Sequence, residues 1–137
     1  MWWIYALLSA LFAALTAIFA KIGVAGIPSD LATAIRTVVI LVMAWGIVLA
    51  RGAYRGVSIS RHTLVFLVLS GLATGLSWIF YFRALQAGKV SQVAPVDKLS
   101  VALTIVLSAV FLQESITWKT GIGALLIIAG TLVLITK

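Results

Sequence analysis

Five stretches of about 20 residues carry almost no charge, and a helix needs about that many apolar residues to cross the hydrocarbon of a bilayer. Trp2 to Ala20 is uncharged, Leu31 to Ala50 is interrupted only by Arg36, and Leu64 to Phe82 is again uncharged. Val93 to Leu112 admits Asp97 and Lys98 near its start, and Thr120 to Thr136 completes the set. Strands of a membrane β-barrel would alternate over about ten residues, which these runs do not. With 64% of the 137 residues hydrophobic and 9% charged, a soluble domain of this size has no way to hide its apolar surface. The fold class is therefore an all-α integral membrane protein. Its five transmembrane helices are expected at about 2–20, 31–50, 63–83, 92–112 and 119–136, in one transmembrane domain over 1–137. A multi-pass protein of the plasma or inner membrane follows, with the lipid bilayer as its first partner.

The breaks are equally legible. Gly26 to Asp30 reads as a turn, with Ser29 or Asp30 as the N-cap of the second helix. Arg51 to Gly56 and Ser58 to His62 form a polar loop, and Gln86 to Gln92 and Gln113 to Lys119 are short polar connections. A cleaved signal peptide would need a basic stretch before the first run, and Met1-Trp2-Trp3 offers none, so that run is read as a mature span. Trp2, Trp3, Tyr5, Trp45, Tyr54 and Trp118 suit anchoring at the membrane interface.

Several function classes fall away. No cysteine is present, which removes disulfides, thiol catalysis and thiolate metal sites. The net charge of +7 is scattered singly between apolar runs, so nucleic acid is not expected as a partner. His62 is the only histidine, and Asp30, Asp97 and Glu114 all lie near span ends. Such an inventory assembles neither a metal site nor a Ser/His/Asp set, so no enzyme activity and no cofactor are expected. Gly121-Ile122-Gly123 lacks the strand and acidic partner of a nucleotide loop.

Within membranes, small residues allow close helix packing and polar residues mark interior or cavity surfaces. The third helix has both. Gly71 and Gly75 form a GxxxG, and Ser70, Thr74, Ser77 and Tyr81 recur at a 4-3-4 spacing beside Trp78. That stripe either lines a cavity or bonds back to its own helix carbonyls. Ser9, Ala13, Thr16 and Ala20 make a smooth face on the first helix, and Asp97, Val101, Thr104 and Ser108 share one on the fourth. Gly123 and Gly130, two turns apart on the last helix, suit a contact between two subunits.

An ordered set of features resembles the second half of an EamA domain of the drug/metabolite transporter superfamily. It comprises Ala84-Leu85 at a helix end, Pro95 opening the next helix, Leu112-Gln113-Glu114 at its exit, and a final helix from Gly123 to Gly130. Arg36 falls where such domains carry an arginine in their second helix, and the resemblance extends over essentially the whole chain. It implies a transporter. Most such proteins carry two domains in ten helices, so this sequence resembles the small five-helix bacterial and archaeal type. The four-helix multidrug exporters of the superfamily use a membrane-embedded glutamate in their first helix. Trp2 to Ala20 has no carboxylate, so the resemblance does not extend their cation/proton antiport to this chain.

The charges inside spans carry the site reading. Leu31 and Val93 start on the same side of the membrane, side B, and Arg83 ends the third helix there. At 1.5 Å per residue, Arg36 and Lys98 each lie about 8 Å inside their spans. Arg36, Arg83, Asp97 and Lys98 are thus expected to converge at one end of the bundle. Neighbours on a helix diverge by about 100°, so Asp97 is expected to pair with Arg36 rather than Lys98, leaving Lys98 toward a cavity. The alternative is snorkelling of the basic side chains to headgroups, with Asp97 complementing a helix dipole. Pro95 pins or opens the local helix geometry, and Glu114 is expected to fix the connection between the fourth and fifth spans.

The resulting expectation is a secondary transporter of a small polar metabolite or drug-like compound, acting as a homodimer with a pocket lined by helices 1–4. Arg36, Lys98 and Asp97 would stand at its rim, with Ser70, Thr74, Ser77, Trp78 and Tyr81 on its wall. The positive surplus suits a substrate with an anionic group. A non-transporting subunit of a larger complex and a lipid-handling protein are the alternatives. Because five is odd, tandem duplication of such a unit yields an inverted repeat, and a lone unit reproduces it only by inserting in both senses. The loop charges permit this. Arg51, Arg55, Arg61 and Lys119 on the N-terminal side face Lys21, Arg83, Lys89 and Lys137 on side B, four against four. A dual-topology antiparallel homodimer is expected, with a parallel dimer as its rival.

Overall fold

Helices made from these runs leave their large apolar side chains outside. In the computed structural model, which describes residues 1–136, Leu64 to Leu69 are all exposed, and so are Val38, Val39, Leu125 and Leu126. Lys137, counted above among the side-B charges, lies outside the described residues. The buried set consists mainly of small residues: Ala17, Ala20, Val24, Ala32 and Ala102 with Ser29, Thr33 and Thr131, plus Phe82 and Leu85. Small residues inside and large apolar ones outside is the arrangement lipid favours, because hydrocarbon is as good a solvent for leucine as another helix is.

The described residues form α1 (Trp2–Gly23), α2 (Ser29–Arg51), α3 (Arg61–Ala87), α4 (Val90–Asp97), α5 (Leu99–Phe111) and α6 (Trp118–Ile135), with no strand among them. Counting Val90–Phe111 as one span, five segments are long and apolar enough to cross a membrane, so the protein is multi-pass. The helices overrun the apolar runs at several ends, α3 reaching Ala87. An apolar run marks hydrocarbon, whereas a helix continues through the interface until a residue stops it. Gly52 does so for α2: it takes the left-handed conformation (φ 61°), and its N–H bonds the Leu49 carbonyl at 3.1 Å.

Helix contacts gather into two compact units. The first is Phe19–Ala87. In it α2 packs on α3, and Leu85 is fully buried. The turn after α1 is strapped to the end of α3 by polar side chains. Gln86 donates to the carbonyls of Val24 (3.3 Å) and Ile27 (2.7 Å), and Lys21 Nζ donates to the Leu85 carbonyl. The cap expected from Ser29 or Asp30 does not form. The helix starts at Ser29 behind Pro28, without a side-chain cap, and the Asp30 carboxylate instead accepts from Arg83.

The second unit is Met1–Ile18 with Gly88–Lys137. Here α4, α5 and α6 pack on one another. The fourth span, expected as one helix over 92–112, is two helices that meet at Lys98 (φ −72°, ψ −7°). Pro95 has no amide for the ladder, and its ring crowds the carbonyl of the preceding turn. Three residues on, the Lys98 amide is shared between the Ala94 (3.2 Å) and Pro95 (3.1 Å) carbonyls, a tightening toward 3₁₀ geometry. Thr131 of α6 holds this break. Its buried hydroxyl lies 3.2 Å from the Pro95 carbonyl and 2.9 Å from that of Ile127. The α5–α6 connection turns at Gln113 (φ 55°), and Thr117 caps α6 by accepting from the Thr120 amide at 3.2 Å.

Candidate functional site

The first unit has six basic side chains, Lys21, Arg36, Arg51, Arg55, Arg61 and Arg83, and one carboxylate, Asp30. Asp30 is taken: Arg83 Nη2 donates to both its oxygens, at 3.2 and 3.1 Å. Arg36 lies seven residues into α2, about 10 Å from its first residue. Its guanidinium lies over the Trp78 ring, 4.0 Å from the centroid, with the Phe82 ring at 5.5 Å. Trp78 and Phe82 are one turn apart on α3 and so present adjacent ring surfaces to α2. A cation over aromatic faces gains about 2 kcal/mol when desolvated. The placement depends on the packing of α2 on α3, with Phe82 and Leu85 buried beneath.

The hydroxyl stripe of α3 divides. Tyr81 is half-buried beside the aromatic pair, with its ring centroid 6.4 Å from that of Phe82. Ser70, Thr74 and Ser77 lie on the exposed surface of α3, and Thr74 bonds back to the Ser70 carbonyl at 2.9 Å. That bond is the self-satisfied alternative, realised at one of the four positions.

In the second unit Asp97 and Lys98 stand at the helix break. They pair with each other, Lys98 Nζ to Asp97 Oδ2 at 3.2 Å. The expectation that sequence neighbours cannot pair holds for a regular helix. Lys98 belongs to neither α4 nor α5, and its flexible four-carbon stem carries the ammonium round to the carboxylate. Within its own unit Asp97 is thus engaged by Lys98, and within the other Arg36 lies over Trp78. The amide of Glu114 donates to the Ser108 carbonyl at 3.3 Å, closing the end of α5.

Glycines expected at helix contacts are open in the single chain. A methyl group added at Gly71, Gly75, Gly123 or Gly130 meets nothing within 4 Å. Sequence reasoning missed Phe82 as the second ring under Arg36, and Thr131 as the clamp on Pro95. Phe82 is one helical turn from Trp78, a spacing that could have flagged it. Thr131 had a weaker signal, a lone hydroxyl in the otherwise apolar "GTLVLI". Among the described residues no group of three or more His, Cys, Asp or Glu is placed to hold a metal ion.

Comparison with known proteins agrees with this architecture. The profile of the EamA-like transporter family matches residues 1–136. A Sinorhizobium protein named "Uncharacterized transporter in cobO 3'region" is 52% identical over 134 residues, 97% of this chain and 95% of that protein. An uncharacterized protein of Methanocaldococcus jannaschii is 32% identical over 82 residues, 59% of this chain and 60% of its own length. No solved structure gives a significant match.

Proposed function

Because the chain belongs to the EamA-like transporter family and is a membrane transporter, we propose that it is a secondary transporter of small polar metabolites or drug-like compounds. The observation that carries this reading is Arg36. A permanent cation sits within an apolar span, on an aromatic surface, in a unit whose one carboxylate is engaged elsewhere. Charges within spans cost several kcal/mol unless paired or hydrated, and are retained where a solute passes. Trp78 and Tyr81 flank it. Ser70, Thr74 and Ser77 extend along α3 as a polar track, and Asp97 and Lys98 supply a further charged pair at a helix break.

The working form in this reading is a homodimer with its pocket between two copies, inserted antiparallel. Open glycine faces on α3 and α6 support association, and the four-against-four loop charges support dual insertion. Flux into proteoliposomes tests the reading, with labelled amino acids, organic acids and neutral polar metabolites as solutes. Saturable uptake is expected, lost in Arg36→Ala and Lys98→Ala proteins that keep wild-type helicity. Normal flux in both variants would retire these residues as the site. No solute-dependent flux at all, with stable capture of a larger membrane complex, would favour a non-transporting subunit.

A further inference from the structure

We propose that Arg36 is the direct ligand of a small organic oxyanion, so that the substrate class is a carboxylate-bearing solute recognised in the unit Phe19–Ala87. This inference rests on the transporter reading for its biology, but the binding site stands on its own geometry.

The argument is a charge balance. Arginine does not deprotonate in proteins, so position 36 is a fixed positive charge. The unit's single carboxylate is bidentate on Arg83. Among the described residues no oxygen accepts a hydrogen bond from the Arg36 guanidinium, whose contacts are the faces of Trp78 and Phe82. Those faces offset only part of the cost of holding a cation within a span. An oxyanion bound at the guanidinium would offset the remainder, and the unit has no further carboxylate to do so. With its Cζ 4.0 Å from the Trp78 centroid, the guanidinium has no oxygen partner on its N–H donors among the described residues. None of its nitrogens is sealed off, since no buried side-chain nitrogen or oxygen lacks a partner among the described residues. A planar fork of N–H donors held close to an indole suits a two-oxygen acceptor, which a carboxylate presents.

Two acceptors compete, a soluble carboxylate and the phosphate of a phospholipid reached by snorkelling. A soluble substrate fits better. Snorkelling needs an extended side chain aimed at the interface, and here the head group is held down on the rings of α3.

The test uses the full chain in dodecyl maltoside, a detergent without phosphate. Trp78 is kept as the single tryptophan, with Trp2, Trp3, Trp45 and Trp118 changed to Phe. Its fluorescence is titrated with acetate, succinate and benzoate, and in parallel with the neutral acetamide and benzamide. A saturable change with at least one carboxylate and none with its amide is expected. Arg36→Gln should weaken that binding about tenfold or more, and Arg36→Lys, which keeps the charge but loses the fork, by less. Equal responses to acid and amide, no response to any of the three acids, or full response in Arg36→Gln would each overturn the proposal. If Arg36→Gln does not fold, thermal stabilisation of the unmodified chain by benzoate but not benzamide decides instead.

Native mass spectrometry of bound phospholipid gives the second arm. A lipid bound by wild type and lost in Arg36→Gln, together with silence toward the soluble acids, assigns the site to lipid and overturns the substrate claim. The two readings fail separately. Carboxylate binding without flux of any solute would defeat the transporter reading alone. Flux of neutral solutes that Arg36→Gln leaves intact would defeat this proposal alone.

Discussion

Replacing Thr131 by valine removes one buried hydroxyl and changes almost nothing else, so it isolates what holds the break in the fourth span. The hydroxyl has one proton and two acceptors, Pro95 at 3.2 Å and Ile127 at 2.9 Å. The bond to Ile127 is within α6 and contributes little to tertiary structure. The Pro95 carbonyl is not orphaned when Thr131 goes, because the Lys98 amide still reaches it at 3.1 Å. Valine matches threonine in shape, so no cavity opens. What remains is one interhelical hydrogen bond, and such bonds in membranes average about 0.6 kcal/mol, with a ceiling near ~1.7. Thr131→Val is therefore expected to cost about 0.5–1 kcal/mol. Pro95→Ala restores an amide to the ladder and lets the helix straighten, which moves the carbonyl from the hydroxyl. The double variant should thus be less destabilised than the sum of the two, with a coupling of similar size. Reversible unfolding in mixed micelles of increasing denaturing-detergent fraction, followed by far-UV circular dichroism, measures all four corners. A cost above ~2 kcal/mol for Thr131→Val, or additivity within about 0.3 kcal/mol, would refute the clamp.

Glu114→Gln should leave flux at the wild-type level, because in our reading this residue shapes the connection after α5 and touches no solute; transport lost at unaltered stability would reverse that assignment. Gly130→Leu should shift the protein toward monomer in size-exclusion chromatography with light scattering, since its open face on α6 is proposed to receive a second copy. A single cysteine at position 137 should label from both faces of the membrane if insertion is dual, and labelling from one face alone would end the antiparallel dimer. Gly52→Ala should cost about 1 kcal/mol in the same unfolding assay, because the left-handed φ of 61° crowds a β-carbon.

The sequence by itself determined the solvent. Runs of 20 apolar residues leave no alternative to spanning helices, because backbone polar groups in hydrocarbon can be satisfied only within the segment. Their number and order, the breaks between them, Arg36 as a charge inside a span, and the family resemblance were all legible from residue order alone. Partner choice was not. Whether Asp30 caps α2 or pairs with Arg83 depends on where α3 ends in space, 53 residues away. Local helix geometry separates neighbouring side chains, so it argues against an Asp97–Lys98 pair, and only the break at Lys98 permits one. The Thr131 clamp required α4 and α6 to be in contact, which no spacing within either helix records. Lipid accounts for the difference. It dictates hydrophobicity along the chain but discriminates weakly between one apolar face and another, so the choice of contacts falls to a few polar groups whose partners lie far off in sequence.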